Sequence, residues 1–97
     1  MRGRHLRLPG HGERGPTIEI FTYNNAADQP LRTADQLGYG HLAFEVADVA
    51  SALQRVIDHG GEPLGQVSTT TVPGVGELEV TYARDPEGNI IELQAWP

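Results

Sequence analysis

The sequence predicts an α+β fold in which one amphipathic helix and four strands follow one another as β-α-β-β-β, with a separate β-hairpin ahead of them. Apolar residues alternate along Gly40 to Val46, along Glu77 to Ala83 and along Ile90 to Trp96, the period expected of half-buried strands. Between the first of these strands and the rest, Val49, Leu53, Val56 and Ile57 recur at helical spacing. Turn chemistry then punctuates the chain at Pro73-Gly74-Val75-Gly76 and at Asp85-Pro86-Glu87-Gly88.

In chain order, residues 1–25 come first and read as two short strands about a turn. His5-Leu6-Arg7-Leu8 alternates, Pro9-Gly10 through Gly15-Pro16 supplies turn residues, and Thr17 to Tyr23 is rich in β-branched and aromatic side chains. Residues 26–38 lose all periodicity and read as a connector. The strand beginning at Gly40 carries His41. Asp48 is a good N-cap for the helix, because its carboxylate can accept a hydrogen bond from a free first-turn N–H, and Gly60-Gly61 ends it. Leu64 to Val72, rich in Thr and Val, is the next strand, and Glu77 to Ala83 follows with Leu78, Val80 and Tyr82 on one side. Asp85-Pro86-Glu87-Gly88 fits a type I turn, with Asp first, Pro second and Gly fourth, and delivers the chain into Ile90 to Trp96.

Composition narrows the function. A chain of 97 residues is one small domain, and it buries a smaller share of its surface than a larger one would, so a partner subunit is a plausible source of stability. A net charge of -6 argues against nucleic-acid or anionic-membrane surfaces, although Arg2, Arg4 and Arg7 make one end locally basic. With no cysteine there is no disulfide, thiolate ligand or cysteine nucleophile, and with no lysine there is no Schiff base or P-loop. No apolar run reaches the roughly 20 residues that span a bilayer, and none follows the N-terminal arginines as a secretory signal would. A cytoplasmic protein without nucleic-acid or membrane partners is the expectation.

Strand alternation selects the candidate site. Leu42, Phe44 and Val46 share one side of their strand, as Ile91, Leu93 and Ala95 do of theirs, and these apolar sets belong against the helix. His41 and Glu92 then project from the opposite face together with Glu45 and Gln94. A neutral imidazole and a carboxylate on one face are the usual start of a divalent metal site. A lone strand histidine is also often a hydrogen-bonded structural residue, but the apolar flanks of Glu92 would make an unpaired carboxylate costly there and favour a partner. In the hairpin, Glu19 holds the place that Glu92 holds in the last strand.

Residues Gly38 to Val49 and Tyr82 to Gln94 resemble the two ends of a module of the vicinal oxygen chelate superfamily, which includes glyoxalase I, extradiol dioxygenases, methylmalonyl-CoA epimerase and the fosfomycin- and bleomycin-resistance proteins. The resemblance covers Gly38 to Trp96 in order, and strand, helix, turn and both ligand positions coincide. It implies a βαβββ module with a curved mixed sheet, paired with a second module around a cleft, where His and Glu from the two modules hold a divalent ion. Residues 39–97 match a complete module. Residues 1–25 match only the closing hairpin of a first one, without its opening strand, histidine and helix.

Carried residue by residue, the resemblance implies His41, Glu92 and Glu19 as metal ligands, one short of the four protein ligands of glyoxalase-like relatives. The ion would be Zn, Ni, Mn or Fe, and Glu19 or Glu92 would act as the catalytic base. Glu45, Gln94 and Phe21 are candidate pocket residues, with Trp96 and Tyr39 as further aromatic walls. Ile18 and Ile20 would lack their covering helix, so a homodimer is expected, and the alternative is a piece of a longer protein. The expected activity is that of a metal-dependent lyase, isomerase or epimerase on a small substrate with two vicinal oxygens. Dioxygenase chemistry is less favoured, because it expects two histidines and one carboxylate. The alternative class is a metal-free module that sequesters a small ligand, as bleomycin-resistance relatives do. His5, His11 and His59 receive no functional assignment.

Overall fold

Asp48 does what its position promises. In the computed structural model, which describes residues 1–28 and 30–97, its carboxylate accepts from the Ser51 backbone N–H at 3.0 Å and opens helix α1, Val49–Asp58. Gly60 ends the helix at φ 98°, a conformation that costs a side-chain-bearing residue strain, and its N–H donates to the Ile57 carbonyl. Gln29, within the expected connector, lies outside the described residues.

Among the described residues six strands accompany the helix: β1 (Arg2–Arg7), β2 (Thr17–Thr22), β3 (Leu42–Glu45), β4 (Glu62–Val72), β5 (Gly76–Arg84) and β6 (Ile90–Ala95). They form two sheets. Strands β3, β6, β5 and β4 lie side by side in that order, with β3 parallel to β6 and the other pairs antiparallel, which is the mixed sheet the family resemblance implies. Strands β1 and β2 pair only with each other, as the hairpin reading has it, although β1 begins nearer the chain start than its alternation suggests.

The Asp85 turn is built by its own side chain. Oδ1 of Asp85 accepts from the Glu87 and Asn89 N–H groups at 3.0 and 2.8 Å, while the Gly88 N–H donates to the Asp85 carbonyl at 2.9 Å. This locks the entry to β6 and so the register that pairs Tyr82 with Glu92.

The core lies between α1 and the sheet, where Val49 and Ala83 are fully buried and Leu93 nearly so. Gly61 is required here, because a Cβ on it would stand 2.4 Å from the Arg84 carbonyl oxygen. The helix covers β4, β5 and β6 but not β3. Consequently the expectation that Leu42, Phe44 and Val46 all pack on α1 is met only in part: Phe44 and Val46 line an apolar groove with Ala52, Val56, Ile91 and Leu93, and Leu42 remains 50% exposed. A residue at a sheet edge is buried only where the helix reaches it, and α1 stops short.

Candidate functional site

The face of the sheet turned away from α1 carries the candidate site residues His41, Glu45, Glu92 and Gln94. Parallel pairing sets Ala43 beside Glu92 and Glu45 beside Gln94, and antiparallel pairing sets Tyr82 beside Glu92 and Val80 beside Gln94. His41 stands just before β3, one residue outside the strand expected to contain it. Its Nε2 lies 3.1 Å from Glu92 Oε1, in position to donate when it carries the ring proton. Gln94 donates through Nε2 to the other Glu92 oxygen, and the Trp96 indole N–H donates to Gln94 Oε1 at 3.0 Å. The His41 ring meets Tyr82 edge-on, with centroids 5.3 Å apart.

These partners decide the charge of Glu92, which is 8% exposed. Burial pushes its carboxyl up, because a charge loses its hydration there. Hydrogen bonds from Gln94, Tyr82 and His41, with the attraction of the imidazole, outweigh that cost and hold the carboxyl below its usual range. The phenol of Tyr82 is pushed up, first by its hydrogen bond to Glu92, then by desolvation and by the carboxylate charge. Tyr82 therefore keeps its proton and presents a donor. Sequence reading placed Tyr82 only in an alternating strand; the signal that would have found it is the Asp85 turn, which fixes the β5–β6 register opposite Glu92.

His41 and Glu92 fit one edge of a metal coordination sphere. Donors about 2.0–2.2 Å from an ion and about 90–110° apart lie roughly 2.8–3.6 Å from one another, and the observed separation is 3.1 Å. Among the described residues no third His, Asp or Glu joins them.

Glu19 stands elsewhere, on the hairpin, where its Oε1 lies 2.5 Å from His5 Nε2 and both side chains are more than half exposed. Of the expected pocket residues, Glu45 and Gln94 line a cleft of about 410 Å³ with Trp96, closed on its other side by Leu8 to His11 of the hairpin turn. Phe21 is not among them. Its ring lies over Gly3, where an added Cβ would stand 2.6 Å from Cδ1, and it is tilted against Tyr23. Tyr39 is 95% exposed and does not line this cleft. His11, given no role from sequence, lines the cleft beside Glu45. Among the described residues no helix is long and apolar enough to cross a membrane.

The chain is similar to the crystal structure of a glyoxalase family protein from Bacillus cereus, with 28% identity and a TM-score of 0.63 over 82% of this chain and 53% of that one. It thus spans about half the length of that protein. It also aligns with a virulence protein from Salmonella typhimurium, at 17% identity and a TM-score of 0.49 over 96% of this chain and 76% of that one. An integron cassette protein from the mobile metagenome of V. cholerae aligns at 21% identity and a TM-score of 0.48, over 98% and 77% of the two chains. No curated protein matches the chain significantly. The family model of the Glyoxalase/Bleomycin resistance protein/Dioxygenase superfamily matches residues 5–93, from the hairpin that carries Glu19 to the strand that carries Glu92. A match of that extent makes the chain a member of this superfamily.

Proposed function

We propose that this protein is a divalent-metal-dependent lyase, isomerase or epimerase acting on a small substrate that presents two vicinal oxygens. The observation that carries the reading is the His41–Glu92 pair, an imidazole nitrogen and a carboxylate oxygen 3.1 Å apart on the open face of the sheet. Zn, Ni, Mn or Fe suits nitrogen and oxygen donors of this kind. The bound ion would polarise the substrate oxygens and stabilise the negative charge that develops when a neighbouring carbon loses a proton.

The chain's own residues divide the remaining work. Glu92, with its carboxyl held below the usual range, stays ionised and suits a ligand better than a base, whose pKa should lie near the working pH. Glu19 would be the third donor, and its carboxylate is also a candidate to accept the substrate proton. It reaches the pair from a second copy, which makes the working form a homodimer. Glu45, Gln94 and Trp96 wall the cleft beside the pair, and Trp96 holds Gln94, which in turn holds Glu92.

Metal content per chain, measured by elemental mass spectrometry on untagged protein purified without chelators, tests the reading together with His41→Ala. Near-stoichiometric metal that disappears in the variant supports it and directs a screen of small compounds bearing vicinal oxygens. A protein that takes up none of the four ions on reloading is not such an enzyme. The cleft of about 410 Å³ favours a second reading in that case, a module that sequesters a small ligand without metal.

A further inference from the structure

His41 lies outside the ladder that holds its strand. The pairing of β3 with β6 begins at Leu42 and Ile91, so the backbone of residues 39–41 takes no part in it. Tyr39, 95% exposed, supplies almost no packing there. The 3.1 Å approach of His41 Nε2 to Glu92 Oε1 therefore needs another anchor, and two arginines supply one.

Arg84 closes β5 and is 8% exposed. It stands at the end of the sheet where both site-bearing strands start, since its register partner is Ile90, and the next residue, Ile91, pairs with Leu42. Among the described residues the ion pairs are His5–Glu19 and His41–Glu92, so no carboxylate pairs with the buried guanidinium. A buried cation is costly unless its N–H groups are met, and hydrogen bonds from a charged donor are stronger than neutral ones. Carbonyls meet it here. Nη1 of Arg84 donates to the Arg32 carbonyl at 2.7 Å and to the Gly88 carbonyl at 3.1 Å. Gly88 lies two residues before β6, and Arg32 lies in the connector that leads to β3. Arg32 passes the restraint on, because its own Nη2 donates to the Tyr39 carbonyl at 3.0 Å. Gly38, at φ 109°, takes the left-handed backbone that side-chain-bearing residues rarely adopt and lets the chain fold back on Arg32, whose Nη2 lies 3.7 Å from where a Gly38 Cβ would stand.

We propose that Arg84 and Arg32 act in series as positioning residues for the His41–Glu92 pair. Through one nitrogen, Arg84 holds both the turn that launches the strand of Glu92 and the connector that launches the strand of His41. Arg32 carries that restraint to within two residues of His41. The connector thereby becomes part of the scaffold of the site. A misplacement of about 1 Å can cost a reaction site roughly 100-fold, so this restraint matters although neither arginine hydrogen-bonds to His41 or Glu92. The inference rests on the reading of His41 and Glu92 as the working pair of the site.

The test uses the full chain and two readouts. In the metal-free protein, the NOE between the rings of His41 and Tyr82, whose centroids lie 5.3 Å apart, reports where the imidazole sits. In protein titrated with Zn²⁺ or Mn²⁺, metal affinity reports whether the pair is set to receive an ion. Arg32→Ala removes the bond to Tyr39 and keeps the carbonyl that Arg84 holds. It is expected to abolish the NOE and to weaken metal binding by roughly 10–100-fold, the cost of losing an outer-shell partner, while the urea midpoint stays where it is. Arg32→Lys, whose ammonium can also donate to the Tyr39 carbonyl, should restore both. Arg84→Lys keeps the charge without the planar guanidinium and should reproduce both losses. If Arg32→Ala and Arg84→Lys leave the NOE and the metal affinity intact, this inference falls and the metal reading stands. If the losses come with a lowered urea midpoint and Arg32→Lys does not reverse them, the arginines only stabilise the fold and the inference falls as well. If the unaltered chain takes up no ion, the metal reading falls, and the NOE in Arg32→Ala alone decides whether the arginines position His41.

Discussion

Tyr82 and Glu92 face each other across the antiparallel register of β5 and β6, and each sets the other's charge. The carboxylate raises the pKa of the phenol, and the phenol helps to lower that of the carboxylate. With the Tyr82 ring edge-on to His41, one tyrosine braces both members of the candidate metal pair.

Tyr82→Phe keeps the ring against His41 and removes only the hydroxyl. The Glu92 carboxyl should titrate at a higher pH in the variant, as followed by carbon-detected NMR. Stability at neutral pH should fall by about 0.5–1.5 kcal/mol, the net worth of an ordinary hydrogen bond, toward the lower end because the ring is partly exposed. An unchanged Glu92 titration would show that Gln94 and His41 alone hold the carboxylate.

Glu92 makes stability depend on pH in a predictable direction. Its folded pKa lies below the unfolded value near 4.5, so the folded state favours the ionised form. Its contribution is complete above that unfolded value and is lost as pH falls through the lower folded value. Denaturant midpoints measured downward from pH 6 should decline less steeply in Glu92→Gln than in the unaltered chain across this acid window.

Thr81 is 1% exposed, and its hydroxyl has no hydrogen-bond partner among the described residues. A buried polar group without a partner costs free energy, and valine has nearly the same shape without the hydroxyl. Thr81→Val should therefore raise stability by about 1 kcal/mol in urea unfolding. A loss of stability would mean that the hydroxyl has an ordered water as its partner.

Gly61→Ala should be destabilising by about 1–3 kcal/mol, the range for forcing extra volume into a packed site. The added Cβ would meet the backbone of Arg84 and a Val56 methyl, 2.4 and 2.5 Å away, and the backbone has little room to give. Gly10→Ala, where nothing lies within 4 Å of the new Cβ, separates this clash from the strain of a positive φ at 87°. A loss no larger at Gly61 than at Gly10 would remove the packing argument.

The sequence by itself determined the local elements and which residues share a strand face. The Asp48 cap, the Gly60 stop and the Asp85 turn act over a few residues, so their chemistry is written in adjacent letters. Alternation alone put His41, Glu45, Glu92 and Gln94 on the face away from the helix, where parity is a matter of counting. Tertiary structure decided the rest. Tyr82 became a partner of Glu92 only through the strand order β3-β6-β5-β4, and Glu19 was drawn to His5 by hairpin register, not to His41. Leu42 stayed half exposed because α1 lies over the other three strands. Strand order, register and the reach of a helix depend on contacts between residues far apart in the chain, and no short-range periodicity encodes those.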